Sequence, residues 1–147
     1  MPDRDSTRPR AASPGRRFRR QEHLLLRRDF DRVFEAGCRV ADEWLTLFAC
    51  PNDGLCSRLG ISAGTRLGGA TDRNYVKRRI REAFRTQKRE LPNGFDFVCV
   101  ARPAAVRHDI DIAASLHKLC LRAVQKWRQR DDAAHGRAPG SAVNNDR

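Results

Sequence analysis

The sequence predicts an α+β fold, in which helices pack on one side of a small mixed sheet to form a single two-layer α/β sandwich. Helical stripes of apolar residues and short strand-like runs follow one another in the order α-β-β-α-β-α. A length of 147 residues suits one domain with short tails. Because a helix separates the second strand from the third, we expect these strands to pair in parallel through a crossover, which is right-handed by default.

The first helix is predicted by apolar residues at helical spacing, namely Leu26, Phe30, Val33 and Phe34. Gly37 follows where a C-terminal cap belongs. The next run, RVADEWLTLFAC, favours one strand that is ended by Pro51. Alternation along this strand places Leu45, Leu47 and Ala49 on one face and Trp44, Thr46 and Phe48 on the other.

The later elements are predicted in the same way. A turn at residues 52–54 indicates that SRLGISAGT returns as an antiparallel second strand. Thr71 or Asp72 then caps a basic helix, which runs to about Leu91 and stops at the Pro-Asn-Gly sequence of residues 92–94. FDFVCVAR is apolar at nearly every position, which is typical of a strand covered on both faces. The last helix has an apolar face formed by Ile112, Leu116, Leu119, Cys120, Ala123 and Trp127.

Both ends of the chain are polar and contain proline. Residues 1–22 carry seven arginines and three prolines, so we expect a basic disordered arm. This arm either makes loose phosphate contacts or serves only as a solubilising tail. Residues 131–147 are expected to form a second disordered tail, and the folded domain is predicted to span residues 23–130.

The charge of the chain indicates an anionic partner. The formal net charge is +12 and the pI is near 10.8. Arginine outnumbers lysine, and its guanidinium suits phosphates and base edges, so nucleic acid is favoured over a membrane surface. The sequence shows no secretory signal and no apolar run of 18 residues. Five cysteines without a C-x-x-C pair favour buried thiols in a reducing cytoplasm over a zinc site.

The stretch RNYVKRRIREAFR, residues 73–85, combines six cations with one carboxylate. Val76, Ile80, Ala83 and Phe84 share one helical face, which is expected to pack on the sheet. A stripe of cations at i+4 spacing lies on another face and is broadened by its neighbours, in all Arg73, Lys77, Arg81 and Arg85 with Arg78, Arg79, Lys88 and Arg89. Like charges at this spacing repel one another, and a bound polyanion would relieve that repulsion. The alternative is an ordinary solvated helix face.

A second candidate site is aromatic. Phe30 and Phe34 lie one helical turn apart, and Trp44 and Phe48 share the predicted strand face. If the first helix covers that face, the rings line a groove flanked by cations such as Arg66, which suits the stacking of unpaired bases. The alternative is that these rings belong to the hydrophobic core.

No catalytic motif accompanies these features. The four histidines are scattered, and the G-x-S-x-G, phosphate-loop and H-E-x-x-H patterns do not occur. The polypeptide itself is therefore expected to carry out no chemistry and to bind no cofactor of its own.

Two segments, RLGISAGTRLGGATDRNYVKRRIREAFR and LPNGFDFVCVARPAA, closely resemble the protein subunit of bacterial ribonuclease P. The resemblance includes LLRRDFDRVFEAG and the last helix, and it covers roughly residues 24–127. The basic motif of that family is matched by Arg73, Asn74, Lys77, Arg78, Arg81, Glu82, Phe84 and Arg85. Two departures each remove a cation: Tyr75 stands where the motif usually has arginine, and Thr65 and Arg66 stand where two lysines often follow the second strand.

The resemblance implies an α/β sandwich with a left-handed β-α-β crossover, in place of the right-handed default. It implies that the basic helix binds the catalytic RNA through Arg73, Asn74, Lys77, Arg78, Arg81 and Arg85. It also implies that a cleft between the first helix and the sheet holds the 5′ leader of precursor tRNA, with Phe30, Phe34 and Phe48 as its aromatic residues. From the residues alone, Trp44 and Arg66 are expected to belong to this cleft as well.

The function that the resemblance implies is the promotion of endonucleolytic 5′ maturation of tRNA, with cleavage performed by an RNA subunit and its magnesium ions. The expected partners are ribonuclease P RNA and precursor tRNA, in the cytoplasm, with no membrane and no obligate protein partner. The alternative is a non-enzymatic RNA-binding protein such as a ribosomal protein. A basic amphipathic membrane binder is a third, less favoured interpretation, because the apolar face of the basic helix is narrow and is expected to pack on the sheet.

Overall fold

A computed structural model describes residues 22–54 and 56–134 of the chain. The α-helices and β-strands are, in chain order, α1 (Arg27–Ala36), β1 (Cys38–Ala41), β2 (Leu45–Pro51), β3 (Arg58–Ser62), α2 (Ala70–Gln87), β4 (Phe95–Ala101) and α3 (Ile112–Ala134). Short 3-10 turns occupy Thr65–Leu67, Lys88–Glu90 and Pro103–Val106. The predicted disordered arm and tail lie outside the described residues except at their inner ends.

The four strands form one mixed sheet in the spatial order β1-β2-β4-β3. β2 pairs antiparallel with both β1 and β4, whereas β3 pairs in parallel with β4. Because α2 connects the two parallel strands, the predicted parallel crossover is confirmed, and so are the α+β class and the mixed sheet. The left hand that the resemblance implies for this crossover stays a prediction.

Two features of the predicted strand arrangement are wrong. The single strand expected over residues 39–50 is a hairpin of β1 and β2, because the Asp42 carboxylate accepts hydrogen bonds from the N–H groups of Trp44 and Leu45, both at 2.9 Å, and turns the chain. The turn at residues 52–54 does not return β3 beside β2. Instead the Asn52 N–H donates to the Gly94 carbonyl at 2.9 Å, and β4 lies between the two strands.

The helices cover both faces of the sheet, so the predicted packing on one side is wrong for α1. On one face α2 and α3 enclose the larger hydrophobic cluster, which includes Leu47, Phe97 and Ile80. On the opposite face α1 closes a smaller cluster formed by Leu24, Val33, Cys50 and Val98. The central strand β4 is therefore apolar towards both sides, as its sequence predicted.

Helix α2 packs on the predicted face but begins at Ala70, earlier than the sequence predicted. Its buried residues are Val76, Ile80, Ala83 and Phe84, which is the face expected from the sequence. Gly69 precedes its first residue and no side chain caps it, so the predicted cap at Thr71 or Asp72 is wrong, and both residues lie within the first turn. The helix ends at Gln87, and the turn Lys88–Glu90 leads to the buried Leu91.

The described residues extend past both predicted domain boundaries. Glu22, expected in the disordered arm, is buried, and its carboxylate lies 2.7 Å from the Lys88 ammonium. The predicted apolar face of α3 packs into the larger cluster, and this helix continues to Ala134, four residues beyond the expected end. Near that end the side chains of Lys126 and Arg130 donate to the carbonyls of Arg39 and Ala36, at 2.9 and 2.7 Å. These contacts tie α3 to β1 and to the end of α1.

Gly37 caps α1 as predicted, with its N–H donating to the Val33 carbonyl at 2.9 Å. A Cβ atom here would lie 2.5 Å from the Val33 carbonyl oxygen and 2.8 Å from that of Ala49, so the helix and strand meet closely enough to require glycine. All five cysteines are free thiols, and four of them are buried, as the sequence indicated. No helix within the described ranges is long and apolar enough to cross a membrane.

Candidate nucleic-acid interface

Helix α2 presents its predicted RNA-binding residues on the side away from the sheet. Asn74, Arg78 and Arg81 are exposed, and Arg73, Lys77 and Arg85 are half-buried. Four of these cations form no ion pair with any carboxylate in residues 22–54 and 56–134, and we call them the α2 ridge: Arg73, Lys77, Arg78 and Arg81. The structure therefore brings the predicted cations together as one surface.

Other cations of this region are engaged by the protein itself. Arg79 donates to the backbone carbonyls of Arg107, at 3.1 Å, and Ile110, at 2.6 Å, so it holds the connection before α3 against α2. Arg85 forms an ion pair with Glu82 one turn earlier, and this hydrogen-bonded guanidinium lowers the pKa of the Glu82 carboxyl. Lys88, in its pair with Glu22, does not broaden the ridge as predicted.

The three predicted phenylalanines lie together on the opposite face of the sheet, and we call this site the aromatic groove (Phe30, Phe34 and Phe48). The Phe34 ring meets Phe48 edge to face, with centroids 4.9 Å apart, and its centroid lies 6.4 Å from that of Phe30. Phe34 is 40% exposed, whereas the other two rings are half-buried against the smaller cluster. The rings therefore belong partly to the core and partly to the surface, and their stacking on unpaired bases stays a prediction.

The close approach of α1 to the sheet depends on Gly60 in β3. A Cβ atom at this position would lie 2.6 Å from Phe30 Cζ and 3.1 Å from Leu24 Cβ. The Phe30 ring thus rests directly on the backbone of β3, which brings the groove close to the sheet.

Trp44 and Arg66 were also predicted for the groove, and the structure contradicts this prediction for Trp44. Trp44 precedes β2 in the turn made by Asp42, and it packs against the larger cluster on the other face, so its predicted place beside Phe48 is wrong. Arg66 is exposed on the turn Thr65–Leu67 beyond the carboxyl end of β3. A contact of Arg66 with a bound leader stays a prediction.

Arg39 is a cation of the groove that the sequence interpretation missed. It pairs with Phe48 across the β1-β2 hairpin, so both side chains lie on the face that carries the groove, and Arg39 is exposed. The signal that would have found it is the Asp42 turn, because only the hairpin register brings these two residues side by side.

Asp96 lies beneath α1 on the same face of the sheet. The sequence analysis missed it, because its run is apolar at nearly every other position. Its buried carboxylate accepts two hydrogen bonds from Arg58, at 2.6 and 2.8 Å, and one from Asn52, at 2.9 Å. It also pairs with Arg32 of α1, whose guanidinium donates in addition to the Pro51 carbonyl at 3.2 Å. One carboxylate therefore joins α1 to three neighbouring segments of the sheet.

The pKa of Asp96 reflects this arrangement. Burial acts to raise the pKa, but hydrogen bonds from Arg58 and Asn52 and the charges of Arg58 and Arg32 outweigh it, so the pKa lies below the ordinary aspartate value. The carboxylate consequently stays ionised, and its charge compensates cations that would otherwise repel one another beneath α1.

The described residues contain no group of three His, Cys, Asp or Glu side chains that could hold a metal ion.

A basic α+β domain with an unpaired cationic ridge and a partly open aromatic groove belongs to the class of nucleic-acid-binding proteins. The sequence family described as Ribonuclease P matches residues 18–124. A ribonuclease P protein component from Petrotoga mobilis is 39% identical over 88 residues, which are 60% of this chain and 75% of that protein. The chain belongs to the ribonuclease P protein family, as a protein component of that tRNA-processing endoribonuclease.

Solved structures agree with this membership. The ribonuclease P protein from Thermotoga maritima superposes with a TM-score of 0.63 at 36% identity, over 69% of this chain and 96% of that one. A mutant ribonuclease P protein from Staphylococcus aureus gives a TM-score of 0.64 at 32% identity, over 71% of this chain and 89% of that one. The comparisons therefore agree on fold and family, and the family match spans α1, the sheet and α2.

Proposed function

We propose that this chain binds ribonuclease P RNA through α2 and holds the 5′ leader of precursor tRNA in the aromatic groove, and so promotes 5′ maturation of tRNA. The observation that supports this most strongly is the α2 ridge. Four cations lie on one helix surface within residues 73–81, and in the described part of the chain none of them has a carboxylate partner. A phosphate backbone supplies the missing negative charge.

The ridge favours a structured polyanion over isolated small anions. Arg73, Lys77 and Arg81 recur every fourth residue, so their side chains follow one another at about 6 Å intervals along α2. The packed face of the same helix is fixed to the sheet by Ile80 and Phe84. The cations are thus carried by a rigid element, which reduces the entropy lost when RNA is bound.

The aromatic groove suits a single strand better than a duplex. The exposed Phe34 ring is supported edge-on by Phe48, and the neighbouring Arg39 is exposed on the same face. Unpaired bases of any sequence stack on such rings while a cation holds the adjoining phosphate. A leader strand has unpaired bases, whereas the bases of the tRNA stem are already stacked and paired.

The chain contributes binding and orientation to the reaction. Magnesium ions held by the RNA subunit supply the Lewis-acid chemistry of phosphodiester cleavage. The α2 ridge and the aromatic groove lie on opposite faces of the sheet, so the protein bridges catalytic RNA and leader and fixes the substrate relative to the RNA. The five free thiols support a reducing, cytoplasmic setting for this work.

Reconstitution tests the proposal. The full-length protein is added to a bacterial ribonuclease P RNA at a magnesium concentration where the RNA alone is nearly inactive, and matured tRNA is measured. We expect a severalfold or larger increase in the rate of leader removal. A basic protein of similar size and charge serves as the control for non-specific charge neutralisation. An increase no greater than that given by the control would exclude the proposed function.

A further inference from the structure

A stacked pair of rings joins α2 to the connection that precedes α3. The Tyr75 and His108 rings lie with centroids 4.4 Å apart and planes 24° from parallel. Tyr75 is half-buried against the larger cluster, whereas His108 is exposed. The His108 imidazole is therefore a surface ring that rests on the ring of Tyr75. Tyr75 belongs to α2, the helix that carries the α2 ridge.

The protein holds this pair in place from several directions. Arg79 donates to the carbonyls of Arg107 and Ile110, which lie on either side of His108 in the chain. Its guanidinium carbon also lies 5.5 Å from the centroid of the Tyr75 ring. Next to the imidazole, Arg107 pairs with Asp109 at 2.7 Å, so the two flanking charges offset each other.

The surroundings match the requirements of a base-stacking site. Arg78, an exposed cation of the α2 ridge, is three residues from Tyr75 and so projects from the adjoining surface of the helix. Aromatic side chains, histidine included, stack on unpaired bases while neighbouring cations contact the backbone. In addition, Tyr75 lies within the basic stretch of residues 73–85, so its ring stands among the cations of α2.

We infer that Tyr75 and His108 form a platform on which an unpaired nucleotide of ribonuclease P RNA stacks. This inference rests on the proposed binding of that RNA by α2, and it extends the interface onto the connection of residues 107–111. His108 contacts the base, Tyr75 supports the imidazole, and Arg79 is a positioning residue that keeps the connection on the helix. The occupant belongs to ribonuclease P RNA and not to precursor tRNA, because the platform shares its helix with the α2 ridge.

The first test measures the dissociation constant of the protein for ribonuclease P RNA with two substitutions at one position. His108→Ala removes the ring, and we expect affinity to fall about 5- to 100-fold. His108→Phe keeps a ring that stacks on both Tyr75 and a base, and we expect affinity within about threefold of the unchanged protein. Equal losses for the two variants would overturn stacking, because they would show that the imidazole acts through its nitrogen atoms.

The matched control is His117→Ala, which removes the other imidazole of this region, one that is hydrogen-bonded to Gln87 at 2.8 Å. We expect this variant to bind RNA normally once its folded fraction is accounted for by urea unfolding. His108→Ala should also leave the slope of log K against log salt unchanged, since a stacked base releases no counterions. A slope that is shallower by about 0.7 to 0.9, the value of one phosphate contact, would contradict the platform.

Three further outcomes show whether a failure concerns the platform alone or the proposed function as well. If His108→Ala binds ribonuclease P RNA normally while a loss of α2 ridge cations weakens binding, the platform is wrong and the proposed function stands. If neither change affects the binding of that RNA, the proposed function fails with it. Should His108→Ala weaken only the binding of precursor tRNA by the assembled enzyme, the inference is overturned, because the base would then come from the substrate.

Discussion

Asp96 is a fully buried carboxylate on which hydrogen bonds from different segments converge. Since its folded pKa is depressed below the unfolded value of about 3.9, the ionised carboxylate stabilises the fold above about pH 4. That stabilisation is lost as the pH falls through the folded pKa. The direction of this dependence follows from the paired arginines, which favour the charged form.

Replacing this residue gives a prediction for stability. Asp96→Asn keeps the shape of the side chain but leaves Arg32 without its counter-charge and Arg58 with only Asp29, at 3.9 Å. The side chains of Arg32 and Arg58 are about one third exposed, at 37% and 30%, so we expect the free energy of unfolding to fall by about 2 kcal/mol at pH 7, less than for a fully buried pair. Urea unfolding at a series of pH values measures this, and the difference from the unchanged protein should narrow below about pH 4.

A surface pair provides the control for that experiment. Asp109→Asn removes a carboxylate that pairs with Arg107 in solvent, and no measurable change in stability is expected. A loss for Asp96→Asn no larger than for Asp109→Asn would show that the buried network does not stabilise the attachment of α1.

Phe34 is the groove residue whose replacement separates binding from folding most cleanly, because its ring is 40% exposed. Phe34→Ala removes the stacking surface, so the affinity of the assembled enzyme for leader-bearing tRNA should fall by about 1–3 kcal/mol. Affinity for mature tRNA should not change. Competition binding with the two RNAs measures both quantities.

Leu121→Ala is a suitable comparison for Phe34→Ala, since Leu121 is 42% exposed on α3, away from the groove. Leu121→Ala should change the affinity for neither leader-bearing nor mature tRNA. Equal losses for leader-bearing and mature tRNA in Phe34→Ala would argue against a leader in the groove, and a stability loss without a binding change would assign the ring to the core.

Helix α2 is the element whose substitution should most directly weaken the binding of ribonuclease P RNA. The double variant Arg73→Ala with Lys77→Ala removes two of the four ridge cations without touching the buried face of the helix. We expect the affinity for ribonuclease P RNA to fall at least tenfold at moderate salt, because two phosphate contacts are lost. Filter binding measures the affinity, and circular dichroism checks that the helix content is unchanged.

The control for α2 is a double variant of equal charge. Arg122→Ala with Arg128→Ala removes two exposed cations from α3. If the two double variants lose the same affinity, net charge and not the ridge determines binding.

Elements whose signal is local were predictable from the sequence. The buried faces of α2 and α3 follow from periodicity, and the Gly37 cap follows from one residue at a helix end. The hairpin was not predictable from strand pattern, because a single side-chain turn at Asp42 decides it. The strand order was not predictable either, since β4 enters between β2 and β3 from far along the chain.

In the candidate site too, features within one element were predictable and features that join two elements were not. The spacing of the cations and of the three phenylalanines along single elements predicted them. Arg39 and Asp96 were not, because their roles arise from pairing between elements, and the Arg32–Asp96 contact spans 64 residues. The engagement of Arg79 by backbone carbonyls was invisible for the same reason, since the charge run alone cannot distinguish a cation that faces RNA from one that faces its own chain.

The molecule as a whole carries a net charge of +12, and its two proposed RNA sites lie on opposite faces of the sheet. Binding to ribonuclease P RNA should therefore weaken steeply with salt. Four ridge contacts predict a slope of log K against log salt of about −3. Affinities measured from low to moderate salt give this slope, and the Arg73→Ala, Lys77→Ala variant should make it shallower by about 1.5. A slope near zero would contradict binding through phosphates.

Arg79 has a practical consequence for mapping this interface. Its guanidinium secures the backbone beside His108, so truncating it would release that segment and weaken RNA binding without removing any contact to a phosphate. An alanine scan judged only by complex formation would report Arg79 as a recognition residue, a false positive. Hydrogen exchange at the Arg107 amide, which donates to the Ala104 carbonyl at 3.3 Å, would identify the error, because exchange there would become faster even in the free protein.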